Sequence, residues 1–486
     1  MAISIYSSRI VLKFLGVEDF GIYNLVGGVV ALFSSLKVVF SSAIQRFINY
    51  TRGLGDEEGV THVFSLSLLI QLLLAFIFVA IVEVFGLWFI PNKLVIPPGA
   101  LETALFVFHC SIAASVVSIV SVPFTALVIA NERMNFYAYV SIVEAVLRLG
   151  IVFLLPILPY IPLRSYAVLI LFVQFIVLLV NVLYCKRFKE CKVEKYWDAI
   201  LFRRLASFSG WNFFGNLVFS LVNEGLNIVL NLFGGVVANA ARGVTTQVRN
   251  AIETISSNLY LASQPFVMQQ AATVEINTLS GYISKLSRLI YYVILVTVFP
   301  LILYAEQVLS IWLTEIPQYT VSFVRVMLLF ELVRSLHSPI EMLFLSIGRL
   351  KRYQISEFLV LILSLPLAYY ALYWGCPLYT VFLVMTVIEI INLIAIVFVA
   401  KSEAGFDVGI YFKTVILRCV KAFIIVASLG FLFYCLTNNS DKYVSIIWLL
   451  SYALLSALMI FTLVLDSEEK GIISGFVVKV IKKKIV

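Results

Sequence analysis

Apolar segments long enough to cross a bilayer follow one another along nearly the whole chain, and this pattern constrains the fold more than any other feature. A helix of about 20 apolar residues spans the hydrocarbon core of a membrane. The 486 residues leave room for about 14 such helices joined by short loops. Only 13% of the residues are charged, which is far below the roughly one quarter of soluble domains. The sequence therefore predicts an all-α polytopic membrane protein.

Glycines, prolines and charged residues mark where each predicted helix ends. The first helix ends at Gly16, and because only about 15 residues precede it, we expect the natural start to lie upstream. A turn at Phe233-Gly234-Gly235 separates helices 7 and 8. The other predicted helices cover about 20–50, 60–90, 100–131, 135–158, 164–185, 279–312, 319–347, 353–374, 378–400, 409–436 and 442–465.

A basic linker divides the chain into two predicted six-helix bundles. The predicted domains are a bundle at 1–187, the linker at 188–205, a second bundle at 206–400, helices 13 and 14 at 401–466, and a basic amphipathic tail at 467–486.

Short matches between the two halves indicate an internal repeat. At an offset of 219 residues, Ala43-Ile-Gln45-Arg-Phe47 is matched by Ala262-Ser-Gln264-Pro-Phe266, and Gly16 falls on Gly235. Because six is an even number of crossings, the two halves insert in the same sense and relate by an axis along the membrane normal.

Positively charged residues concentrate in alternate loops. One set of loops holds Arg52, Arg133, the linker, Lys351 and the lysine-rich tail. The other set has few positive residues and consists of GVED, IPNKLVIPPG, YIPLRS, FGGVV, TEIPQ, GCPLY and TNNSDKY. The positive-inside rule places the first set, and therefore both termini, in the cytoplasm. The formal charge of +8 thus reflects orientation in the membrane, and no nucleic-acid partner is expected.

Two apolar helices between about 206 and 270 carry stripes of polar residues at helical spacing. The stripes consist of Asn212, Asn216, Asn223, Asn227 and Asn231 in the first helix and of Arg242, Thr246, Arg249, Glu253, Ser257 and Gln264 in the second. A charge at bilayer depth costs several kcal/mol, so the stripes must face protein or water. They either hydrogen-bond neighbouring helices or line a wet cavity in which amides meet sugar hydroxyls.

Several cations lie inside predicted helices. Arg9 and Lys13 are one helical turn apart with no acidic residue on their short helix, which favours an anionic ligand. Guanidinium groups fit phosphate geometry and lysine adds a point charge, so a diphosphate is the expected anion. Arg46 is interpreted either as a residue that extends to the membrane interface or as one that gathers phosphate at the cytoplasmic mouth.

Acidic residues near the other buried cations predict local ion pairs. The spacings pair Glu144 with Arg148, Arg249 with Glu253, and Glu331 with Arg334. Glu144 and Glu253 are also candidates for coupling to a proton or sodium gradient.

Motifs of nucleotide hydrolysis, zinc peptidases and serine hydrolases are absent from the sequence, and the loops are too short for an enzyme domain. The six cysteines are scattered without metal-ligand spacing. His109 and His337 are interpreted as hydrogen-bonded interior groups. The sequence therefore predicts neither an enzyme nor a metal site or bound cofactor.

Two long stretches resemble bacterial polysaccharide flippases of the Wzx type, which export repeat units of O-antigen and capsule. They are SSRIVLKFLGVEDFGIYNLVGGVVALF with SSAIQRFINY, and SGWNFFGNLVFSLVNEGLNIVLNLFGGVVANAARGVTTQVRNAI. The resemblance covers essentially the whole chain and is most specific at LGVEDFGIYN and ANAARG. It implies the multidrug/oligosaccharidyl-lipid/polysaccharide (MOP) exporter superfamily, with a MATE-like fold in which two bundles form a V around a cationic cavity.

The resemblance also implies a mechanism and a site. An undecaprenyl-diphosphate-linked oligosaccharide would move from the cytoplasmic to the periplasmic leaflet of a bacterial inner membrane by alternating access. Together with the residue patterns, it assigns the diphosphate to Arg9, Lys13, Arg46, Arg242 and Arg249, and the sugars to Asn212, Asn216, Asn223, Asn227 and Gln264. Membrane lipids, a polysaccharide polymerase and glycosyltransferases are the expected partners of a monomer.

Three other functions stay open at this point. A cation-coupled multidrug antiporter of the same superfamily would need a net acidic cavity, whereas here the cations at least match the acids. A glycan polymerase or ligase would need a large periplasmic loop. A membrane scaffold without transport activity is the third.

Overall fold

The computed structural model describes most of the chain, with gaps in and after the second predicted helix and at the C-terminus. It describes residues 2–32, 44, 47–48, 51–52, 56–131, 133–158, 161–194, 196–273, 275–437 and 442–471. The side chains of 2–5, 134, 204–219, 265–266, 268–269, 271–273, 350, 437 and 442–443 are not described. Arg46 and the side chains of Asn212 and Asn216 therefore lie outside the described residues.

The described part of the chain is built of helices and contains no strand. The α-helices are α1 (Ala2–Ala31), α2 (Glu57–Lys93), α3 (Leu101–Val120), α4 (Val122–Ala130), α5 (Met134–Leu154), α6 (Pro162–Cys185), α7 (Ala199–Thr273), α8 (Ile276–Leu303), α9 (Ala305–Trp312), α10 (Thr320–Ile347), α11 (Leu350–Leu361), α12 (Ser364–Tyr373), α13 (Thr380–Ala404), α14 (Val408–Tyr411), α15 (Leu417–Thr437) and α16 (Lys442–Leu463). A 3₁₀ turn at Leu155–Ile157 follows α5, and a π-helical turn at Phe412–Ile416 precedes α15.

Within the described residues, 11 stretches are long and apolar enough to cross a membrane. This finding confirms a polytopic all-α membrane protein and fits the predicted set of about 14 segments. The predicted helix 1 and the beginning of the predicted helix 2 lie in one of these stretches, Tyr6–Ala31. Parts of the predicted helices 7 and 8 lie in another, Ser220–Gln264. The predicted helix 10 is α10, which is not among the 11 and carries Arg325, Glu331, Arg334 and Glu341.

Glycine interrupts each of the two joined helices. Gly16 has φ 76° and ψ 175° within α1, and Gly235 has φ 61° and ψ −165° within α7. Positive φ is costly for residues with a Cβ atom, so glycine permits both breaks. These two glycines are the pair that the repeat matches, and each lies at a predicted turn. The similar backbone geometry supports the repeat.

The chain divides into two compact units, each of which is described by itself. Unit 1 comprises residues 1–244, 313–319 and 361–381, and unit 2 comprises 245–312, 320–360 and 382–486. In unit 1, α1 packs on α3 and α5, and α3 packs on α2 and α6. In unit 2, α8 packs on α10, α15 and α16. The predicted domain boundaries at 187, 205, 400 and 466 stay a prediction.

Helix α1 and the part of α7 beyond its break approach each other closely in unit 1. A Cβ atom added to Gly21 would lie 2.0 Å from the carbonyl oxygen of Val236, which no side chain tolerates without a shift. Three residues further along α1, the side chain of Asn24 occupies the space beside Gly243. The small residues thus let the two backbones meet, as is common between membrane helices.

The contact at Gly21 predicts a specific loss of stability. Gly21→Ala forces α1 away from Val236, and overpacking of this kind costs about 1–3 kcal/mol. Gly27→Ala is the matched control, because a Cβ atom there meets nothing within 4 Å and alanine favours the helix. Thermal unfolding of the purified protein in detergent should show a lower midpoint for Gly21→Ala and an unchanged or higher one for Gly27→Ala. Equal midpoints for the two variants would contradict the close approach.

Candidate functional site

A cavity of about 490 Å³ lies in unit 1 beside the first segment of α1. Its wall is formed by α1, the end of α5, the 3₁₀ turn that follows α5, and one loop residue. The lining residues are Tyr6, Arg9, Ile10, Lys13, Phe14, Val152, Phe153, Pro156 and Thr314. Arg9 and Lys13 are the charged residues of this lining, so the cavity is cationic.

The helical spacing of Arg9 and Lys13 places both cations on the face of α1 that borders the cavity. Arg9 is half-buried and Lys13 is exposed. Among the residues that the structure describes, neither has a carboxylate within ion-pair distance. The Lys13 ammonium instead lies 5.9 Å from the centre of the Phe14 ring. Two uncompensated cations on one wall favour an anion.

The rest of the cavity wall is mostly apolar. Phe14 and Phe153 contribute aromatic rings, and Val152 and Pro156 contribute aliphatic surface. Such surface lowers the local dielectric, so the attraction between the cations and an anion is stronger there than in water. The wall suits a ligand that joins an anionic group to an apolar one.

Arg242 is buried in unit 1 and is engaged by α7 itself. Its guanidinium donates to the backbone carbonyl oxygen of Asn223 and, at 3.1 Å, to the side-chain oxygen of Asn223. The Glu224 carboxylate lies 3.7 Å away and balances the charge. These contacts join the two segments of α7 across the break at Gly235, so Arg242 has a structural role.

Arg249 is buried in unit 2 and pairs with a residue of another helix. Its Nε donates to Oε1 of Glu331 on α10 at 2.8 Å, and its guanidinium lies 5.5 Å from the centre of the Phe330 ring. The predicted local pairing of Arg249 with Glu253 is therefore wrong, and Glu253 is exposed. A buried guanidinium meets whichever carboxylate the packing of helices brings to it, and here that group comes from α10.

The other predicted ion pairs have different outcomes. Arg148 donates to Glu144 from Nη2 at 2.8 Å, which confirms that pair, and Gln174 donates to the same carboxylate. The predicted pairing of Glu331 with Arg334 is wrong. Arg334 donates instead to Glu357 at 3.2 Å and to Glu389 at 3.0 Å, because these acids project from α11 and α13 toward α10.

The asparagine stripe is largely used by the protein itself. The Asn231 side chain accepts from the backbone N–H of Val95 at 2.8 Å and donates to the carbonyl oxygen of Val95 at 3.0 Å. Asn227 donates to the carbonyl oxygen of Asn24 at 3.2 Å. Asn239, which sequence reasoning missed, donates to the side-chain oxygen of Asn227 at 2.7 Å. This network favours the interhelical interpretation of the stripe for Asn227 and Asn231.

Two further predicted sugar-binding residues lie on α7. Asn223 donates to Glu224 at 3.2 Å in addition to accepting from Arg242. Gln264 is half-buried near the end of α7. Neither is among the residues that line the cavity beside α1, so the structure does not bring the predicted sugar and diphosphate residues together there.

Several lining residues of the cavity were missed from the sequence. Tyr6 and Thr314 supply hydroxyl groups, and Phe153 supplies an aromatic wall. Tyr6 shares the helical face of Arg9 and Lys13, so the spacing on α1 could have identified it. Thr314 comes from a loop some 300 residues away in sequence, and no local signal marks it.

The buried pair of Arg249 and Glu331 predicts a large effect of single substitutions. Arg249→Met leaves Glu331 buried without its cation, and removal of one partner of a buried pair costs about 3–5 kcal/mol. Arg249→Met combined with Glu331→Gln should recover most of that loss. Unfolding of the purified variants by denaturant measures both values.

Lys285→Met is the control for this test. Lys285 pairs with Glu468 at 2.8 Å on a far more exposed part of unit 2, where such pairs contribute about 0–1 kcal/mol. An equal loss in the single and the double variant would contradict the assignment of Arg249 to Glu331.

Comparisons with solved structures show which fold this is. An inward-facing multidrug resistance MATE family transporter of the MOP superfamily superposes with a TM-score of 0.71 at 17% identity, covering 83% of this chain and 94% of that one. The lipid II flippase MurJ in an inward closed conformation gives a TM-score of 0.67 at 13% identity, covering 94% and 97%. A MOP superfamily transporter from Pyrococcus furiosus gives 0.57 at 16% identity, covering 83% and 95%.

No family model and no curated protein matches the sequence. The structural likeness extends over nearly the full length of each of these transporters. The protein is therefore a multi-pass membrane protein with the fold shared by MATE transporters and the MurJ flippase.

Proposed function

We propose that this protein carries a polyprenyl-diphosphate-linked oligosaccharide across a bacterial inner membrane by alternating access. The observation that supports the proposal most strongly is the cationic cavity, where Arg9 and Lys13 face open space without a carboxylate partner in the described part of the chain. A diphosphate supplies the missing negative charge. The fold shared with a lipid II flippase is a second support.

Diphosphate binding in this proposal depends on Arg9 and Lys13. The guanidinium of Arg9 offers paired N–H donors that match two phosphate oxygens, and Lys13 adds a mobile point charge. Arg242 and Arg249 already have carboxylate partners at 3.7 Å and 2.8 Å. Their predicted contact with the diphosphate would require those pairs to open, so the proposal gives them the task of holding α7 in place.

The cavity lies near loops that the charge pattern assigns to the periplasm. Lys13 is three residues before the break at Gly16, Pro156 is in the turn after α5, and Thr314 is in the loop after α9. GVED, YIPLRS and TEIPQ, the predicted periplasmic loops, contain or adjoin these positions. The proposal therefore places the cations at the outer end of the path, with both termini in the cytoplasm.

The positive charge of the cavity favours transport of an anionic lipid over antiport of a cationic drug. An organic cation is repelled by Arg9 and Lys13, and the described lining of the cavity contains no acidic residue to offset them. For the Pyrococcus furiosus transporter, a binding pocket of reverse polarity suggests a different function within the MOP superfamily. By the same reasoning, the cationic wall favours an anionic lipid here.

The proposal predicts a loss of flipping when the two cations are neutralised. A hydrogen bond to a charged group contributes about 1.5–3 kcal/mol, so Arg9→Gln and Lys13→Gln should each slow flipping roughly tenfold or more. The assay uses proteoliposomes that contain a fluorescent undecaprenyl-diphosphate sugar, and a membrane-impermeant quencher reports the fraction in the outer leaflet over time.

Lys93→Gln is the matched control for the flipping assay. Lys93 is an exposed lysine of the same unit, at the end of α2, whose ammonium lies 5.9 Å from the centre of the Trp88 ring and outside the cavity lining. It should flip the lipid at the wild-type rate. Unchanged flipping in an Arg9→Gln/Lys13→Gln double variant would remove the site, and wild-type protein that exports an organic cation but no lipid would favour the antiporter.

A further inference from the structure

A buried network of ionisable groups surrounds His337 in unit 2, and none of its members lines the cation cavity. Arg334 and His337 lie on α10, Tyr353 and Glu357 on α11, and Glu389 on α13. The His337 side chain is completely buried, with 0% of its surface exposed. Burial of so many charges inside one bundle requires that they balance one another.

Each ring nitrogen of His337 has a hydrogen-bond acceptor within reach. Nδ1 lies 3.0 Å from Oε1 of Glu389. Nε2 lies 2.7 Å from the hydroxyl oxygen of Tyr353 and 3.5 Å from Oε1 of Glu357. Both nitrogens can therefore carry a proton at the same time, and this geometry accommodates the imidazolium cation.

Each ring nitrogen also has a donor within reach. Nδ1 lies 3.2 Å from Nη1 of Arg334 and 3.4 Å from Nδ2 of Asn392. At Nε2, the Tyr353 hydroxyl can rotate to donate instead of accept. A neutral imidazole is thus satisfied in either tautomer. The site can gain or lose one proton without leaving a ring nitrogen unpaired, whereas a structural histidine needs partners for one state alone.

The net charge of the network is negative when His337 is neutral, so the network can accept one added proton. Arg334 contributes one positive charge, and Glu357 and Glu389 contribute two negative charges in direct contact with it. With a neutral His337 the sum is one negative charge, and with a protonated His337 it is zero. The network also lacks hydrogen-bond donors, because Oε2 of Glu389 and Oδ1 of Asn392 are buried and have no hydrogen-bond partner among the described residues.

The electrostatic surroundings of the network do not supply the missing cation. Glu341, half-buried on α10, interacts electrostatically with Arg334 and His337 and adds negative charge. Arg249 is already balanced by Glu331. From α7, Glu253 acts on Glu331, and Tyr260 interacts with Glu341. His337, with an acceptor at each ring nitrogen, is the group that can supply the missing positive charge by binding a proton.

We propose that His337 is a proton-exchange site, reached through Glu357 and Tyr353, and that its protonation drives the transport function proposed above. This coupling role rests on the proposed function, whereas the proton site itself does not. Glu357 is the entry point because 18% of its side-chain surface is exposed, against 0% for His337.

The proton transfer involves three groups and is balanced. A proton from water first neutralises the Glu357 carboxylate. Glu357 then gives this proton to the Tyr353 oxygen, while Tyr353 gives its own proton to Nε2 of His337. Glu357 returns to a carboxylate, Tyr353 is unchanged, and His337 becomes a cation held by Glu389. Deprotonation follows the reverse order.

Protonation changes the force that holds three helices together. A neutral His337 leaves excess negative charge between α10, α11 and α13, and like charges in a low-dielectric interior repel. The imidazolium reduces that excess and strengthens the contact of α10 with Glu389 of α13, which Arg334 already binds. A proton gradient can therefore change the packing of these helices, which is what coupling to transport requires.

The small number of histidines makes the proton site directly observable. The chain has three histidines, so ¹⁵N spectra of protein with labelled imidazoles contain three sets of signals, and His337→Gln assigns one of them. When the pH of the sample is varied from about 5 to 9, the His337 signal should change between its doubly and singly protonated forms. Tyr353→Phe should shift the pH at which it does so, and loss of the relay should slow the exchange.

His109 is the matched control in the same spectra. Its Nδ1 lies 3.0 Å from Glu83, the same separation as between His337 and Glu389, but 49% of its side chain is exposed and its described ion-pair contact is a single carboxylate. Tyr353→Phe should leave the His109 signal unchanged. A His337 signal that keeps one protonation state from pH 5 to 9, or that ignores Tyr353→Phe, would overturn the proposal.

Flipping in proteoliposomes with an imposed pH difference tests the coupling role. Wild-type protein and His109→Gln should respond to the gradient, and His337→Gln should flip at a rate that no longer depends on it. Gradient-dependent flipping by His337→Gln, or wild-type flipping that follows sodium instead of pH, would reject the coupling role. If His337 titrates as expected but no variant flips the lipid, the proposed function fails and the proton site stands.

Discussion

A charged group in the hydrocarbon core of a membrane has no water to stabilise it, and the rest of this structure depends on that constraint. Buried cations here meet carboxylates: Arg242 meets Glu224, Arg249 meets Glu331, and Arg288 meets Glu469. Arg9 and Lys13 differ from these residues, because they border a cavity. In the described part of the chain, the fold supplies these two cations with space in place of a carboxylate. The diphosphate ligand proposed above would supply the negative charge that these two cations lack.

The same constraint explains the asparagines. Gly235 breaks α7, and a break inside a membrane frees backbone N–H and C=O groups that lipid cannot satisfy. Asn231 binds both the N–H and the carbonyl oxygen of Val95, and Asn239 binds the carbonyl oxygen of Asn227. Amide side chains carry a donor and an acceptor, so Asn231 satisfies the backbone of a loop after α2, and Asn239 joins the two segments of α7 across the break. The stripe that looks like a sugar site in the sequence is therefore, at these positions, part of the scaffold.

Sequence patterns correctly predicted features that depend on neighbouring residues. They failed for contacts that depend on which helices pack against each other. Apolar periodicity located the helices, and glycine at turn signals located both breaks, because each depends on neighbouring residues. Glu144 and Arg148 pair as predicted because both lie on one helical turn. Arg249 and Glu331 are 82 residues apart, and helical spacing tells which face a side chain occupies but not which helix faces it. For the same reason, Thr314 and Val152 could not be assigned to the wall beside Arg9.

Helix α10 connects the two electrostatic systems of unit 2. Glu331 holds Arg249 of α7, and three residues later Arg334 enters the His337 network with Glu357 and Glu389. A change of charge at His337 therefore alters the field on Glu331, since both lie on α10 and little water intervenes to screen them. The partner of Glu331 is carried by α7, the same helix whose earlier residues, Arg242 among them, belong to unit 1. A proton bound at His337, as proposed, would therefore act on the pair of Glu331 and Arg249 within unit 2.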